Sequence, residues 1–150
     1  MNELQIPFEI GDSATFTKTI SECDVYLFAG ITGDMNQVHL DEAYASTTDL
    51  KHRIAHGCLT FSIGASAETV LLNEKKKELN SCGLTYLSYG YDKLRFLKPV
   101  YFGDTVTGKY ELVDINNETM KTVAHLTMTN QHGETVCVCD HLWKFFPKKK

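Results

Sequence analysis

Apolar positions recur at helical spacing through the first half of the chain and at strand spacing through the second. A Thr-rich, roughly alternating stretch, Ala14 to Ile20, predicts a short opening strand. Ser21 then has the position of an N-cap, with Asp24 at capping-box distance. The helix it opens carries Val25, Leu27, Phe28 and Ile31 and is expected to end between Gly30 and Gly33. Asp41 is placed to cap a short helix, Glu42 to Ala45. The longest helix is predicted from Gly57 to about Leu79. Its first half is apolar nearly all round and includes Gly64, Ala65, Ser66 and Ala67, which predicts a buried helix that another backbone approaches closely.

Strand-like stretches follow at Tyr86 to Phe96, Thr105 to Val113, Thr122 to Asn130 and Thr135 to Phe145. Asn116-Asn117 and His132-Gly133 are turn signals at hairpin distance, whereas Pro99 and Gly103-Asp104 break the chain after the first strand. The expectation is an α+β fold. An antiparallel meander of four strands, joined by the N-terminal strand, curves around one apolar helix. No linker, repeat or shift of composition divides the chain, so residues 1–150 are expected to form one domain.

Composition narrows the function. The net charge of −4 and pI near 5.8 argue against nucleic acid as a partner, since no basic face has to balance phosphate. The lysine runs 75–77 and 148–150 are short and read as a solvated helix end and a solvated tail. No apolar stretch approaches the roughly 20 residues that span a bilayer, and Met1 to Gln5 lacks the basic and apolar regions of a signal peptide. Five cysteines are an odd number without framework spacing, which suits a reducing cytoplasm. His52, His125, His132 and His141 show no ligand spacing, and no metal is expected.

The candidate chemistry lies between Gly33 and Gly57. Asp34 and His39 are five residues apart, which on a helix turns them about 140° from each other and on a strand sends them to opposite faces. They converge only if the chain turns, and Gly30, Gly33 and Asn36 permit a turn. His56-Gly57 then opens the long helix. Alone, an Asp after a Gly is commonly a turn residue and a lone His a core or surface residue. An acid–base pair on a loop beside a helix N-terminus suggests an enzyme. The aromatic set Tyr86, Tyr89, Tyr91 and Phe96 is expected in the sheet core or at a dimer contact.

Phe28 to Asp41 closely resembles the signature of MaoC-like, (R)-specific enoyl-CoA hydratases, in which an Asp, an Asn and a His are set as D-x-N-P-x-H. Ile54 to Gly57 resembles that family's entry into its central helix, and Phe96 to Val106 its following strand–loop–strand. The similarity runs in order through about residues 12 to 146. It implies a hotdog fold, a bent antiparallel sheet wrapped around a central helix. It also implies homodimers, sometimes assembled further, with thioester sites along the subunit interface, and a reaction without cofactor. Carried over, Asp34 and His39 activate the water that adds across a 2-enoyl thioester, on CoA or an acyl carrier protein. The Gly57 N–H receives the thioester carbonyl. From the residues themselves, Asn36 is placed to fix the substrate-side loop by bonding local backbone, and His56 to support the site rather than catalyse. Two positions depart from the family pattern: its usual Pro is Gln37, and a Ser often found nine residues after the second His is Ala65. A hotdog thioesterase and a non-catalytic acyl-thioester binding module are the competing readings; release of free thiol, or binding without turnover, would mark them.

Overall fold

The computed structural model describes residues 4–148. Met1 to Glu3, part of the stretch read for a signal peptide, and Lys149 and Lys150, most of the expected solvated tail, lie outside the described residues. Strand β1 (Ser13–Thr19) leads into helix α1 (Glu22–Thr32), the single-turn helices α2 (Gln37–Leu40) and α3 (Glu42–Ala45), the long helix α4 (Gly57–Glu74) and the short α5 (Lys76–Ser81). Strands β2 (Leu84–Phe96), β3 (Thr105–Asn116), β4 (Lys121–Thr129) and β5 (Thr135–Pro147) complete the order. Ser21 and Asp24 form the reciprocal capping box that their spacing predicts.

The sheet runs β1-β3-β4-β5-β2, with every neighbouring pair antiparallel. The expected four-strand meander is therefore corrected: only β3, β4 and β5 follow one another, and β2 sits at the far edge against β5. The cause lies between β2 and β3. Leaving β2, Leu97 donates its N–H to Val136 O (2.8 Å), Ala55 donates to Val100 O (2.8 Å), and Gly103 donates to Ile20 O (2.8 Å). Pro99, which has no N–H, and these three bonds take the chain past the start of α4 to the opposite edge of the sheet.

Helix α4 lays Leu59, Thr60, Ile63, Gly64, Ala67 and Leu71 on the sheet, while Cys58, Ser62 and Thr69 remain exposed. One stripe, rather than the whole first half, is buried, because the sheet covers a single side. The close approach foreseen from its small residues occurs at Gly64. A Cβ on Gly108 of β3 would lie 2.5 Å from the Gly64 Cα, so the two backbones touch. The helix also ends earlier than predicted. At Lys75 the chain turns (φ −92°, ψ 15°) and the ammonium pairs with Asp12 (2.9 Å), after which α5 returns Leu79 to the core.

Between α4 and the sheet lies a buried polar chain. Trp143 and His141 of β5 are fully buried. Trp143 Nε1–H donates to Glu68 Oε1 (2.6 Å), and the other Glu68 oxygen is 3.4 Å from His141 Nδ1. His141 also meets Tyr110 OH through Nδ1 (3.0 Å) and Ser88 Oγ through Nε2 (2.8 Å), and the Tyr91 ring stacks on it at 4.2 Å. Burial pushes the imidazole of His141 down to about 4 and raises the Glu68 carboxyl above the usual range.

Candidate active site

Helix α1 stops at Gly33, whose left-handed conformation (φ +79°) returns its N–H to Ala29 O (2.8 Å). The next turn is built from local polar bonds. Asp34 Oδ1 accepts from Asn36 N–H (3.3 Å), and Asn36 Oδ1 accepts from Val38 N–H (3.1 Å), capping α2. His39 therefore stands on a one-turn helix rather than on the expected loop, because Asn36 supplies a cap that lets the chain rewind at once. Gln37 occupies the first position of α2, where a proline fits equally well, so this departure from the family pattern leaves the turn intact. Asn36 is exposed, and its observed role is that cap.

The two imidazoles are held by backbone carbonyls. His39, 8% exposed, bonds through Nδ1 to Ile54 O (2.8 Å), and His56, 2% exposed, bonds through Nε2 to Asp34 O (3.0 Å). A carbonyl only accepts, so each of those ring nitrogens carries the proton in the neutral ring. The lone pair of His39 is thereby assigned to Nε2. The rings stack with centroids 3.8 Å apart and planes 28° apart, and Phe28 packs on His56 at 5.0 Å. Burial is the largest influence on His39 and holds its pKa below the ordinary histidine value. The Ile54 bond and the Asp34 carboxylate oppose that shift, and His56 adds to it.

Asp34 is exposed, and its carboxylate has one oxygen within 4.8 Å of a ring nitrogen of each histidine. Among the described residues, these three form the cluster whose donor atoms come near enough to consider a metal ion. Each ring has already committed one nitrogen to a backbone carbonyl, so the cluster offers three donors, one short of a closed tetrahedral site. A water is a better fit. One molecule that makes a bond of about 2.8 Å to each side spans a gap of this size.

Gly57 is the first residue of α4, and its cap residue His56 makes no side-chain bond to the first turn, which leaves N–H groups and the positive end of the helix dipole free. Arg53 fixes the approach to that turn, pairing with Glu22 (2.8 Å) and Glu42 (3.4 Å), donating to Tyr26 OH (2.8 Å) and lying over the Phe102 ring. Two cavities meet at Gly57. One, of about 350 Å³, is lined by His39, Leu50, Ile54, Thr60, Pro99, Val100 and Val136 among others; the second, of about 310 Å³, is lined by Phe28, Thr32, Asp34, His56 and Cys58. Gly57 and Phe96 border both.

Asp34, His39, His56 and Gly57 are thus brought together as the sequence suggests, with Asn36 beside them as a cap. Phe96 lies outside the sheet core, the first of its two expected places: it is half exposed and borders the cavities. The remaining aromatics divide, Tyr86 packing on Trp143, Tyr91 on His141, and Tyr89 standing exposed under Lys121. Ala65 borders neither cavity, and the nearby Ser62 and Ser66 hydroxyls bond back to carbonyls of their own helix. Thr60, Leu50, Val100 and Val136 were not legible as cavity residues, because four distant segments supply them.

Comparison with known proteins adds independent findings. The MaoC like domain family matches residues 7–135. An "(R)-specific enoyl-CoA hydratase" of Rhodospirillum rubrum is 44% identical over 97 residues, 65% of this chain; the match spans 60% of that relative's length. A "3-hydroxybutyryl-CoA dehydratase" of Methylorubrum extorquens is 34% identical over 142 residues, covering 95% of this chain and 83% of the relative. Among solved structures, an R-hydratase from Pseudomonas aeruginosa in its unliganded form superposes with a TM-score of 0.71 at 32% identity, over 95% of this chain and 89% of that one. Sheet, helix and superposition agree on a hotdog fold. This chain belongs to the MaoC-like domain family.

Proposed function

We propose that the chain is an (R)-specific enoyl-thioester hydratase, equally a 3-hydroxyacyl-thioester dehydratase in reverse, and that Asp34 and His39 share one catalytic water. The single observation carrying this reading is the Asp34 carboxylate beside a His39 ring whose proton is committed to Ile54 O, at the open N-terminus of α4. His39 Nε2 takes a proton from the water while Asp34 orients it. The oxygen attacks C3 of the 2-enoyl thioester, and the electron pair of the C2=C3 bond moves onto the thioester oxygen. That enolate oxygen rests on the Gly57 N–H, and the proton then passes to C2 from the face where water entered, giving syn addition. A positioned acid–base group typically supplies roughly 10²–10⁴-fold, and one oxyanion donor roughly 10²–10³-fold. Division of the proton transfers between the two side chains belongs to the pair. His56 positions Asp34 through its backbone carbonyl, and Asn36 holds the turn that joins them.

The thioester carrier is CoA or an acyl carrier protein. Lys98 borders the His39 cavity with its ammonium paired to Glu134, whereas Arg95, exposed and near that cavity in sequence, is suited to phosphate. We further propose a homodimer. Strand β2 is a 13-residue edge with Leu87 and Tyr89 exposed, the kind of edge that a folded protein covers. Among the described residues no helix is long and apolar enough to cross a membrane, and five free thiols fit the reducing cytoplasm.

Purified protein incubated with crotonyl-CoA is expected to lose enoyl absorbance and form the (R)-3-hydroxy product on chiral analysis. Thiol release without loss of the double bond would favour a thioesterase, and tight binding without either would favour a binding module. Light scattering on the eluting protein is expected to give twice the chain mass.

A further inference from the structure

The proposed partners in catalysis, Asp34 and His39, border different cavities, and the ring of Phe96 stands where those cavities meet. That ring rests on the backbone of Gly57: a Cβ at position 57 would lie 2.9 Å from two ring carbons and 3.0 Å from a third. Phe96 is nevertheless 51% exposed, so its other face is not packed within the chain. Its backbone is held on both sides, by pairing with Cys137 and by the Leu97 N–H bond to Val136 O (2.8 Å). The ring can swing about its side-chain torsions without moving the strand, a rotamer change that an exposed aromatic makes readily.

On the reading of a thioester hydratase, we propose that Phe96 is the gate between the two cavities and sets the length of acyl chain the enzyme accepts. A short acyl group is accommodated within one cavity while the ring stays on Gly57. A longer one has to run from one cavity into the other and displaces the ring as it passes. Phe96 is thus a specificity-determining residue and takes no part in proton transfer.

The test pairs binding with turnover. Calorimetric affinities for butyryl-, octanoyl- and dodecanoyl-CoA, which cannot be hydrated, are measured beside kcat/KM for the matching enoyl-CoAs. Phe96→Ala is expected to improve octanoyl relative to butyryl binding by tenfold or more, since each further buried methylene is worth about fourfold. Butyryl binding should change by less than about threefold, consistent with a half-exposed ring whose loss removes little contact. Phe96→Trp should shift preference the other way, and Phe96→Leu should fall between wild type and Ala. Thermal melts establish that each variant folds. Chain-length profiles of the Ala and Trp variants that run parallel to wild type overturn the gate, even with hydration intact. Wild-type binding with the expected profile shifts but no hydration overturns the hydratase reading and leaves the gate standing.

Discussion

Two histidine clusters in this protein share ingredients and differ in everything that makes chemistry. His39 and His56 stack at the mouth of α4, each with one nitrogen pinned by a backbone carbonyl, beside an exposed carboxylate and two cavities. His141 lies fully buried with Glu68, Tyr110, Ser88 and Trp143 around it. The second cluster even has a Ser–His–Glu order, the arrangement a thioesterase reading would look for. Yet His141 Nδ1 is shared by the Tyr110 hydroxyl at 3.0 Å and the Glu68 oxygen at 3.4 Å, and Glu68 is engaged by Trp143. Those bonds join helix to sheet. The lesson is that identical groups act as structure when neighbours use up their lone pairs, and as reagents when a lone pair is left facing open space.

The largest expected effect breaks one side of this comparison. His39→Ala or Asp34→Asn should each lower kcat/KM by roughly 10²–10⁴-fold, with the thermal midpoint little changed; near-normal turnover in either variant would remove the shared-water mechanism. Changes on the other side should do the reverse. Gly108→Ala drives a methyl into the Gly64 backbone and is expected to cost about 1–3 kcal/mol or more, read as a lowered denaturant midpoint. His141→Phe keeps the volume but leaves Tyr110 OH and Ser88 with a lost partner. It should cost about 1–3 kcal/mol and leave kcat/KM within twofold.

Acid separates the two clusters more finely. The unfolded chain protonates a histidine near 6.5, whereas native His141 resists until about 4. Its contribution is therefore complete above pH 6.5 and is lost progressively as pH falls toward 4, a loss of about 3 kcal/mol in order of magnitude. Glu68, raised by burial, has the opposite sign and weakens the fold as pH rises above the ordinary carboxylate range. The melting temperature of His141→Phe should consequently fall less steeply than wild type between pH 6.5 and 4. The smallest effect belongs to His39, whose lowered pKa should place the acid limb of kcat/KM below pH 6.5. An acid limb above that value would mean that His39 is not the base, since kcat/KM reports the free enzyme.

Much of the fold was legible because its signals are short-range. The Ser21–Asp24 box, the Asp41 cap, the Asn36 turn and the helix start at Gly57 each depend on bonds within four residues, and all are observed. Gly64 was readable as a point of close approach, although its partner Gly108 was not. The place of β2 was misread because strand period says nothing about which edge a strand joins, and the bonds of residues 97–103 decide it. That Phe96 lies outside the sheet core was not legible for a related reason: its exposure depends on where β2 ends relative to Gly57.

What the sequence determined by itself was a helix-then-strand order, the caps and turns, and an acid and an imidazole placed to meet beside a helix start. These follow from local sterics and hydrogen bonds, which act over a few residues. The tertiary structure alone decided which nitrogen of each of these two histidines keeps its lone pair, because Ile54 O and Asp34 O bind ring nitrogens 15 and 22 residues away along the chain. It also decided which side chains line the cavities. Both outcomes depend on distant segments excluding water together, and that information is not carried by any one stretch of sequence.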